Sequence, residues 1–471
     1  MTGIDLSFLE DRTVAILGLG KSGLTAAKAL KASGVRVVAW DDGAPARAAA
    51  EAAGIPTADP ANDDFARADM LVLSPGIPRR HPAPHPAVAA ALARGAVVAN
   101  DIDLLGMVQA GANWLGVTGT NGKSTTTALI GHLLKETGIR AEVGGNLGTP
   151  ALALAPLGPE GWYVLELSSY QLETVSAVRW DVGVLLNVTA DHLDRYAGMD
   201  DYVAAKAKLF AHQPTGAVAI IGIDDDWCRG LHETLAKRPN RRAIAISSQH
   251  PVPGGVHAVD GKLIDDLDGK AAPVADLRAI PTLPGAHNWQ NAAAAYAAIR
   301  SVGVPADRIA AALKSFPGLA HRQELVATID GVRFVNDSKA TNADAAAKAL
   351  GSYDRIYWIA GGKPKPGGLE ALDPWLDRIA HAYLIGEGAE KFAGYLGARV
   401  PHEISGDLET AVRAAAARAR RDGARNAVVL LSPACASFDQ FANFEERGRA
   451  FATAVNGLTE GGRTALAGGG R

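Results

Sequence analysis

An α/β protein of three domains is predicted by three observations: the length of the chain, two glycine loops each set between an apolar strand and a helix, and a third run of apolar strands alternating with Ala-rich helices. At 471 residues the chain exceeds what one core accommodates, since single cores stop growing near roughly 250–300 residues. Hydrophobic residues make up 48% and charged residues 21%, a balance that can bury sizeable cores and excludes a disordered chain. The formal net charge of −3 argues against a generally basic nucleic-acid surface. Two cysteines, Cys228 and Cys435, supply neither a disulfide framework nor a four-thiolate zinc site, and a reducing cytoplasm is expected. The start MTGIDLSFLEDR lacks the cationic and apolar regions of a signal peptide. The longest uncharged windows, Leu104 to Gly122 and Ala279 to Ile299, are interrupted by Gly, Asn, Gln, Pro or His and do not read as membrane spans.

Near the N-terminus TVAIL, LTAAKALKAS and VRVVAW read as strand, helix and strand, a rhythm that implies a parallel sheet. DMLVLSPGIP adds a strand ending in a Ser-Pro-Gly turn. After AVVAN, WLGVTGTNGKSTTTALIGHLLKETG repeats strand, loop and helix, and WYVLELSS and VGVLLNVT read as buried strands of that second sheet. From about Pro251 to Gly285 short pieces punctuated by Pro and Gly suggest a hairpin-rich excursion rather than more α/β. A third α/β stretch opens near Leu319, with VRFVND, RIYWIAGG, AYLIGE and AVVLLSPA as strands. The tail GLTEGGRTALAGGGR has no apolar face to bury and is expected to lie outside the packed structure.

In the first loop, Gly18 to Gly23, glycines let the backbone approach a pyrophosphate and the helix start offers unpaired amides. Asp41 follows at the position of a ribose-binding acid, so this loop alone fits a nicotinamide cofactor. The second loop, Gly119-Thr120-Asn121-Gly122-Lys123-Ser124-Thr125, has the Gly-Lys-Ser core of an ATP loop, in which the lysine meets the terminal phosphates and the hydroxyl ligates magnesium. Its entry is variant, because Val117 stands where the strict spacing has glycine. A dehydrogenase needs one nucleotide site; two loops in separate units point to two phosphorylated ligands.

Glu166 ends WYVLE at the carboxyl end of a strand, where open α/β sheets place ligand groups, and can hold magnesium beside Ser124; a capping or solvated glutamate is the bland alternative. NVTADHLDRY, residues 187–196, ends another strand with Asp191, His192, Asp194 and Arg195, of which His192 is a candidate metal ligand. YVAAKAKLF places Lys206 on a short helix facing that site, where an ammonium is a poor neighbour for magnesium unless masked or modified.

GTNGKST, ELSSYQLE, NVTADHLDRYAGMDDYVAAK and GAHNWQN, joined by HRQE, NDSKATN and LSPACASFDQFANFEERG, together resemble the Mur ligase family of peptidoglycan synthesis, in the family's order over nearly the whole chain. The resemblance implies a Rossmann-like UDP-binding domain at 1–101, a central P-loop-type ATPase domain at 102–318 and a Rossmann-like C-terminal glutamate-binding domain at 319–471. It implies an ATP-dependent amide ligase that adds D-glutamate to UDP-N-acetylmuramoyl-L-alanine through an acyl phosphate, in the cytoplasm, with ATP and Mg2+ as cofactors. The partners implied are these small molecules, with transient contacts to other peptidoglycan enzymes and neither nucleic acid nor membrane.

Residue by residue, the resemblance assigns Gly20 and Ser22 to the UDP diphosphate, Asp41 to the uracil end, and Ser74 and Gly76 to the same nucleotide. The family continues from the acid into Thr and Arg, whereas here Asp42 and Gly43 follow. Gly119 to Thr125 would bind ATP, with Lys123, His192 and Lys206 as catalytic residues and Ser124, Glu166, His192 and Lys206 at the metals. The family carboxylates the matching lysine to a carbamate, with Lys208 as the competing position. At an ordinary pKa near 10.4 only about one lysine in a few thousand is neutral at pH 7, so burial or neighbouring cations are required. Asn146 and Ser168 would touch the muramoyl-peptide end, and Asn288, Asn291, Arg322 and Asp337 the adenosine and triphosphate. D-Glutamate would meet Lys339, Thr341, Lys365, Ser437 and Phe444, with Lys363 as the alternative to Lys365. The rival readings are folylpolyglutamate synthetase, which has no need of the GLGKSG unit, an NAD-dependent dehydrogenase, which the second loop opposes, and a non-catalytic nucleotide-binding scaffold.

Overall fold

The computed structural model describes residues 3–146, 148–191, 193–365, 368–424 and 426–467. Its strands form three sheets. The first contains β1 (Thr13–Leu17), β2 (Arg36–Trp40), β3 (Met70–Leu73) and β4 (Val97–Ala99) in the order β2-β1-β3-β4, all parallel. Val14, Ala15, Ile16 and Leu17 are buried on both faces of β1, the pattern of a parallel strand covered by helices on either side. Ala26, Ala27 and Leu30 of the Lys21–Ala32 helix pack on one face, and Phe65, Val88 and Ala91 are buried on the other.

The second sheet holds β5 (Asn113–Thr118), β6 (Ala141–Gly145), β7 (Trp162–Glu166), β8 (Val182–Leu185), β9 (Val218–Gly222), β10 (Arg242–Ser247), β11 (Val256–Val259), β12 (Lys262–Asp265) and β13 (Ala272–Asp276). Its order is β13-β12-β11-β10-β9-β8-β5-β7-β6, parallel from β6 to β11. The Pro- and Gly-rich segment after Pro251 is not an excursion from this sheet. It contains the β11–β12 hairpin, turned by Asp260 and Gly261 at φ 50° and 75°, and the hairpin extends the same sheet at its edge.

The third sheet holds β14 (Glu324–Ile329), β15 (Val332–Asn336), β16 (Ile356–Gly361), β17 (Ile379–Ile385), β18 (His402–Gly406) and β19 (Val428–Leu431). The order is β14-β15-β19-β16-β17-β18, with only β14 antiparallel to its neighbour. Separate apolar cores lie on its two faces, one around Trp358, Leu372 and Phe392, the other around Tyr357, Val412 and Phe451. The last helix runs from Phe444 through Ala467.

By compactness the chain divides into two units: Met1–Ala275 with Gln290–Ser315, and Asp276–Trp289 with the chain from Phe316 onward. The first unit contains two sheets because one continuous core joins them, with Val14, Ile16 and Leu30 in the same cluster as Trp114, Tyr163 and Leu165. Among the described residues no helix is long and apolar enough to cross a membrane.

Candidate active site

The second glycine loop joins β5 to the Lys123–Glu136 helix. Gly122 caps that helix at φ 85°, and a Cβ there would overlap the Asn291 amide oxygen, so glycine is required. The loop is pinned from the end of β8. The Thr120 amide donates to the Asn187 carbonyl at 2.9 Å, and the Asn121 amide to the Asn187 side chain at 2.8 Å. The Thr120 hydroxyl bridges the Thr189 carbonyl and the Tyr202 hydroxyl.

Two lysines converge on this loop. Lys123 Nζ donates to the carbonyls of Gly119 and Thr120 at 3.0 and 2.9 Å, and Lys206 Nζ donates to the same Gly119 carbonyl at 2.9 Å. Lys206 is 1% exposed and lies over the Tyr202 ring at 4.5 Å. Burial, reinforced by the Lys123 charge and only partly opposed by Asp191, brings its pKa down to about 7. That supplies the neutral amine that an ordinary lysine lacks. Lys208 goes elsewhere, its Nζ donating to the Glu173 carbonyl at 2.8 Å.

Glu166 ends β7 and pairs in register with Val117 on β5 and Gly145 on β6. It is 2% exposed; one carboxylate oxygen accepts from Asn146 Nδ2 at 2.7 Å and the other has no partner among the described residues. A buried carboxylate oxygen left open, with the buried Ser124 hydroxyl at the start of the neighbouring helix, suits a hard cation. Among the described residues no cluster of three or more His, Cys, Asp or Glu side chains forms a metal cage. His192 lies outside the described residues.

The first loop opens a cavity of about 380 Å³ in the same unit, lined by Gly18, Gly20, Lys21, Ser22, Asp41, Ser74, Gly76, Asn146 and Gln171 among others. Gly18 has φ 91°, and the Ser74 hydroxyl donates to its carbonyl at 2.7 Å; a Cβ on Gly23 would overlap that same carbonyl oxygen. The Asp41 carboxylate accepts from the Leu19 and Gly43 amides at 2.7 and 2.8 Å, so it shapes the loop. Lys21 Nζ reaches the Gly148 carbonyl across the cavity. Asn146 belongs to both places, since it lines the cavity and its backbone and side chain both bond Glu166. Ser168 caps the Ser169–Thr174 helix in a capping box with Gln171, and it is Gln171 that lines the cavity. Gln171 escaped the sequence reading because its side chain reads as part of a cap. Arg47 also escaped it: its guanidinium donates to the Asp41 and Asp42 carbonyls and lies over Trp40 at 4.4 Å, a few residues beyond where the family has arginine.

In the second unit the candidate residues gather at the carboxyl ends of β15, β16 and β19. Lys339 Nζ lies over the Phe444 ring at 4.8 Å, and Lys365 Nζ donates to the Thr341 hydroxyl at 3.2 Å. Lys363 instead pairs its backbone with Ala436, beside the buried Ser437. Arg447, which sequence reasoning did not single out, is 1% exposed and donates to the Ser338 hydroxyl and carbonyl and to the Cys435 and Ala436 carbonyls at 2.8–3.2 Å. It ties together the two loops that carry Lys339 and Ser437. Asp337 is buried, accepts from Ser432 Oγ at 2.8 Å and from the Gln323 amide at 3.2 Å, and is pushed up to about 7 by burial, partly offset by those bonds and by Arg322. Asn288 is buried, with its side chain donating to the Pro284 carbonyl at 2.8 Å.

Residues 12–99 match the Mur ligase MurD-like N-terminal domain, 117–299 the Mur ligase middle domain, and 321–435 the Mur ligase glutamate ligase domain. A UDP-N-acetylmuramoylalanine--D-glutamate ligase of Rhodospirillum rubrum is 53% identical over 464 residues, 97% of each chain. The chain belongs to the Mur ligase family. A ligase of the same description from a Caulobacter species is 50% identical, covering 95% of this Mur ligase and 97% of its own length. Among solved structures, UDP-N-acetylmuramate-alanine ligase MurC of Thermotoga maritima aligns with this Mur ligase at a TM-score of 0.58 and 16% identity, covering 95% of this chain and all of that one. MurF ligase of Thermotoga maritima, solved with ADP, aligns at 0.55 and 18%, covering 79% and 92%. At these identities the two structures establish the Mur ligase fold alone.

Proposed function

We propose that this Mur ligase is the ATP-dependent enzyme that joins D-glutamate to UDP-N-acetylmuramoyl-L-alanine, forming ADP and phosphate, in peptidoglycan-precursor synthesis in the cytoplasm. The relatives at 50–53% identity over nearly the full chain support this reading, and the observation that carries it is the buried Lys206 drawn with Lys123 onto the Gly119 carbonyl. The domain limits proposed are 1–101, 102–318 and 319–471.

A carboxylate is a poor acyl donor, so the alanine carboxylate first attacks the terminal phosphorus of ATP, the bond to ADP breaks, and an acyl phosphate forms. The amine of D-glutamate then attacks the acyl carbon, phosphate leaves and the amide is made. The amides from Gly119 to Thr125 cradle the phosphates, and Lys123, released from the loop carbonyls, neutralises charge on the transferring group. The neutral Lys206 amine adds to carbon dioxide, forming an N–C bond and releasing a proton, and so becomes an anionic group beside the Gly119 loop. Ser124, Glu166, His192 and the modified Lys206 would hold magnesium, which would supply positive charge against the phosphates. Gly20, Ser22, Asp41, Ser74 and Gly76 hold the UDP moiety, Asn146 and Ser168 the muramoyl-peptide end, and Asn288, Asn291, Arg322 and Asp337 the nucleotide. Lys339, Thr341, Lys365, Ser437 and Phe444 receive D-glutamate, whose two carboxylates match two lysines and flanking hydroxyls.

The test is phosphate release from ATP by the purified protein with magnesium, with UDP-N-acetylmuramoyl-L-alanine and D-glutamate added singly and together. Release that needs both is the expected result. Release with a folate substrate in place of the sugar nucleotide, or none at all, would overturn the assignment.

A further inference from the structure

Asp101 carries a buried carboxylate that no role described above uses. It opens the Asp101–Val108 helix, is 3% exposed, and neither of its oxygens has a hydrogen-bond partner among the described residues. The cause lies one residue earlier. The Asn100 side chain accepts from the amides of Ile102 and Asp103, and Asp103 returns a bond to the Asn100 amide. The capping box thereby occupies the donors that a first-turn acid ordinarily finds.

Asp101 instead faces the Ser22 hydroxyl, with the amides of Ile102 and Ala151 at its margin, and it completes a bond to none of them. Its helix packs on the Lys21–Ala32 helix and on the 151–153 turn. Ser22 is in the first turn of the Lys21–Ala32 helix and lines the 380 Å³ cavity, so one hydroxyl separates the buried acid from the space assigned to the diphosphate. The charged groups on the surrounding elements are Lys21, Lys28 and Lys31 on that helix, none on the turn, and Asp103 on its own helix. Asp103 is engaged by the amides of Asn100, Ser176 and Ala177, and Lys21 by the Gly148 carbonyl. Burial pushes Asp101 up to about 6, against the weaker pull of the nearby amides and the Ser22 hydroxyl.

We propose that Asp101 is a positioning residue that couples sugar-nucleotide binding to the uptake of one proton, acting through Ser22. An ionised Asp101 draws the Ser22 O–H toward itself and repels the diphosphate. Once a solvent proton sits on Asp101, its O–H donates to Ser22 Oγ, and the Ser22 O–H is free to donate to a phosphate oxygen. No bond other than the new O–H forms or breaks. The proposal rests on the reading of this cavity as the sugar-nucleotide site.

Calorimetric titration of the full chain with UDP-N-acetylmuramoyl-L-alanine at pH 7, in buffers of different ionisation enthalpy, tests it. The wild type is expected to take up most of one proton, and its affinity to fall with rising pH above 6, by up to tenfold per unit. In Asp101→Asn, whose amide cannot titrate, the uptake vanishes and Kd becomes independent of pH, a change that a purely structural role would not produce. Binding by the wild type without proton uptake overturns the proposal, even where the variant fails to fold. Equal uptake in Asp101→Asn overturns it as well. Absence of binding heat in a folded protein that hydrolyses ATP sinks the reading of the cavity and this proposal with it.

Discussion

The two glycine loops of the first unit share one local plan, an apolar strand, a turn with glycines at positive φ and a helix start, yet their surroundings differ in charge. Around Gly18 the loop is shaped by neutral or acidic groups, the Ser74 hydroxyl and the Asp41 carboxylate, and Lys21 is spent on a backbone carbonyl across the cavity. Around Gly119 two ammonium groups share one carbonyl, and the more buried of them is brought down to about 7. The shared plan makes both loops fit for phosphate, and under the proposed function the surrounding residues are what distinguish a loop that only holds its ligand from one that stabilises charge on a transferring phosphoryl group.

The comparison is sharpened most by Lys206→Ala. Phosphate release is expected to fall about 10³-fold, the upper range for removing a preorganised transition-state charge, while sugar-nucleotide affinity measured by calorimetry stays unchanged. A fall in that affinity would break the separation of roles. The same lysine sets a pH dependence: below pH 7 it is mainly ammonium and cannot add to carbon dioxide, so modification, read by mass spectrometry on the intact protein, is expected to rise as pH increases through 7. Glu166→Gln keeps the bond with Asn146 as an acceptor but removes the open carboxylate charge; activity should drop about 10²-fold, and the magnesium concentration for half-activity should rise. In the first loop, Gly23→Ala forces the Gly18 carbonyl aside, and KM for the sugar nucleotide is expected to rise about tenfold or more with KM for ATP unaltered. Lys208→Ala should change turnover less than about twofold, because its ammonium donates to the Glu173 carbonyl and not to the Gly119 loop. A large effect there would reopen the choice between the two lysines.

Much of this was legible in the chain. TVAIL, WYVLE and IYWIAG are continuous apolar runs because both faces of their sheets are covered, and continuity of that kind survives without any knowledge of partners. AEVGG of β6 and HEISG of β18 were not legible, since they are edge strands with polar or glycine positions that little packing demands. The hairpin after Pro251 was visible as turns, but its attachment to the sheet edge is a long-range pairing that local pattern does not encode. At the site, Lys123, Glu166 and Lys206 announce themselves by charge at strand and helix ends. Arg447 and Asp101 do not: each is a charged residue in an ordinary helical stretch whose burial depends on segments far away in sequence.

The Gly119 carbonyl described above acts as an interlock. Its oxygen offers two lone pairs, and in the structure both lysines draw on it, so each ammonium is held in a position set partly by repulsion from the other. Taking the charge off Lys206 weakens its claim on that oxygen and removes its push on Lys123. The loop thereby couples the readiness of one lysine to the charge of the other.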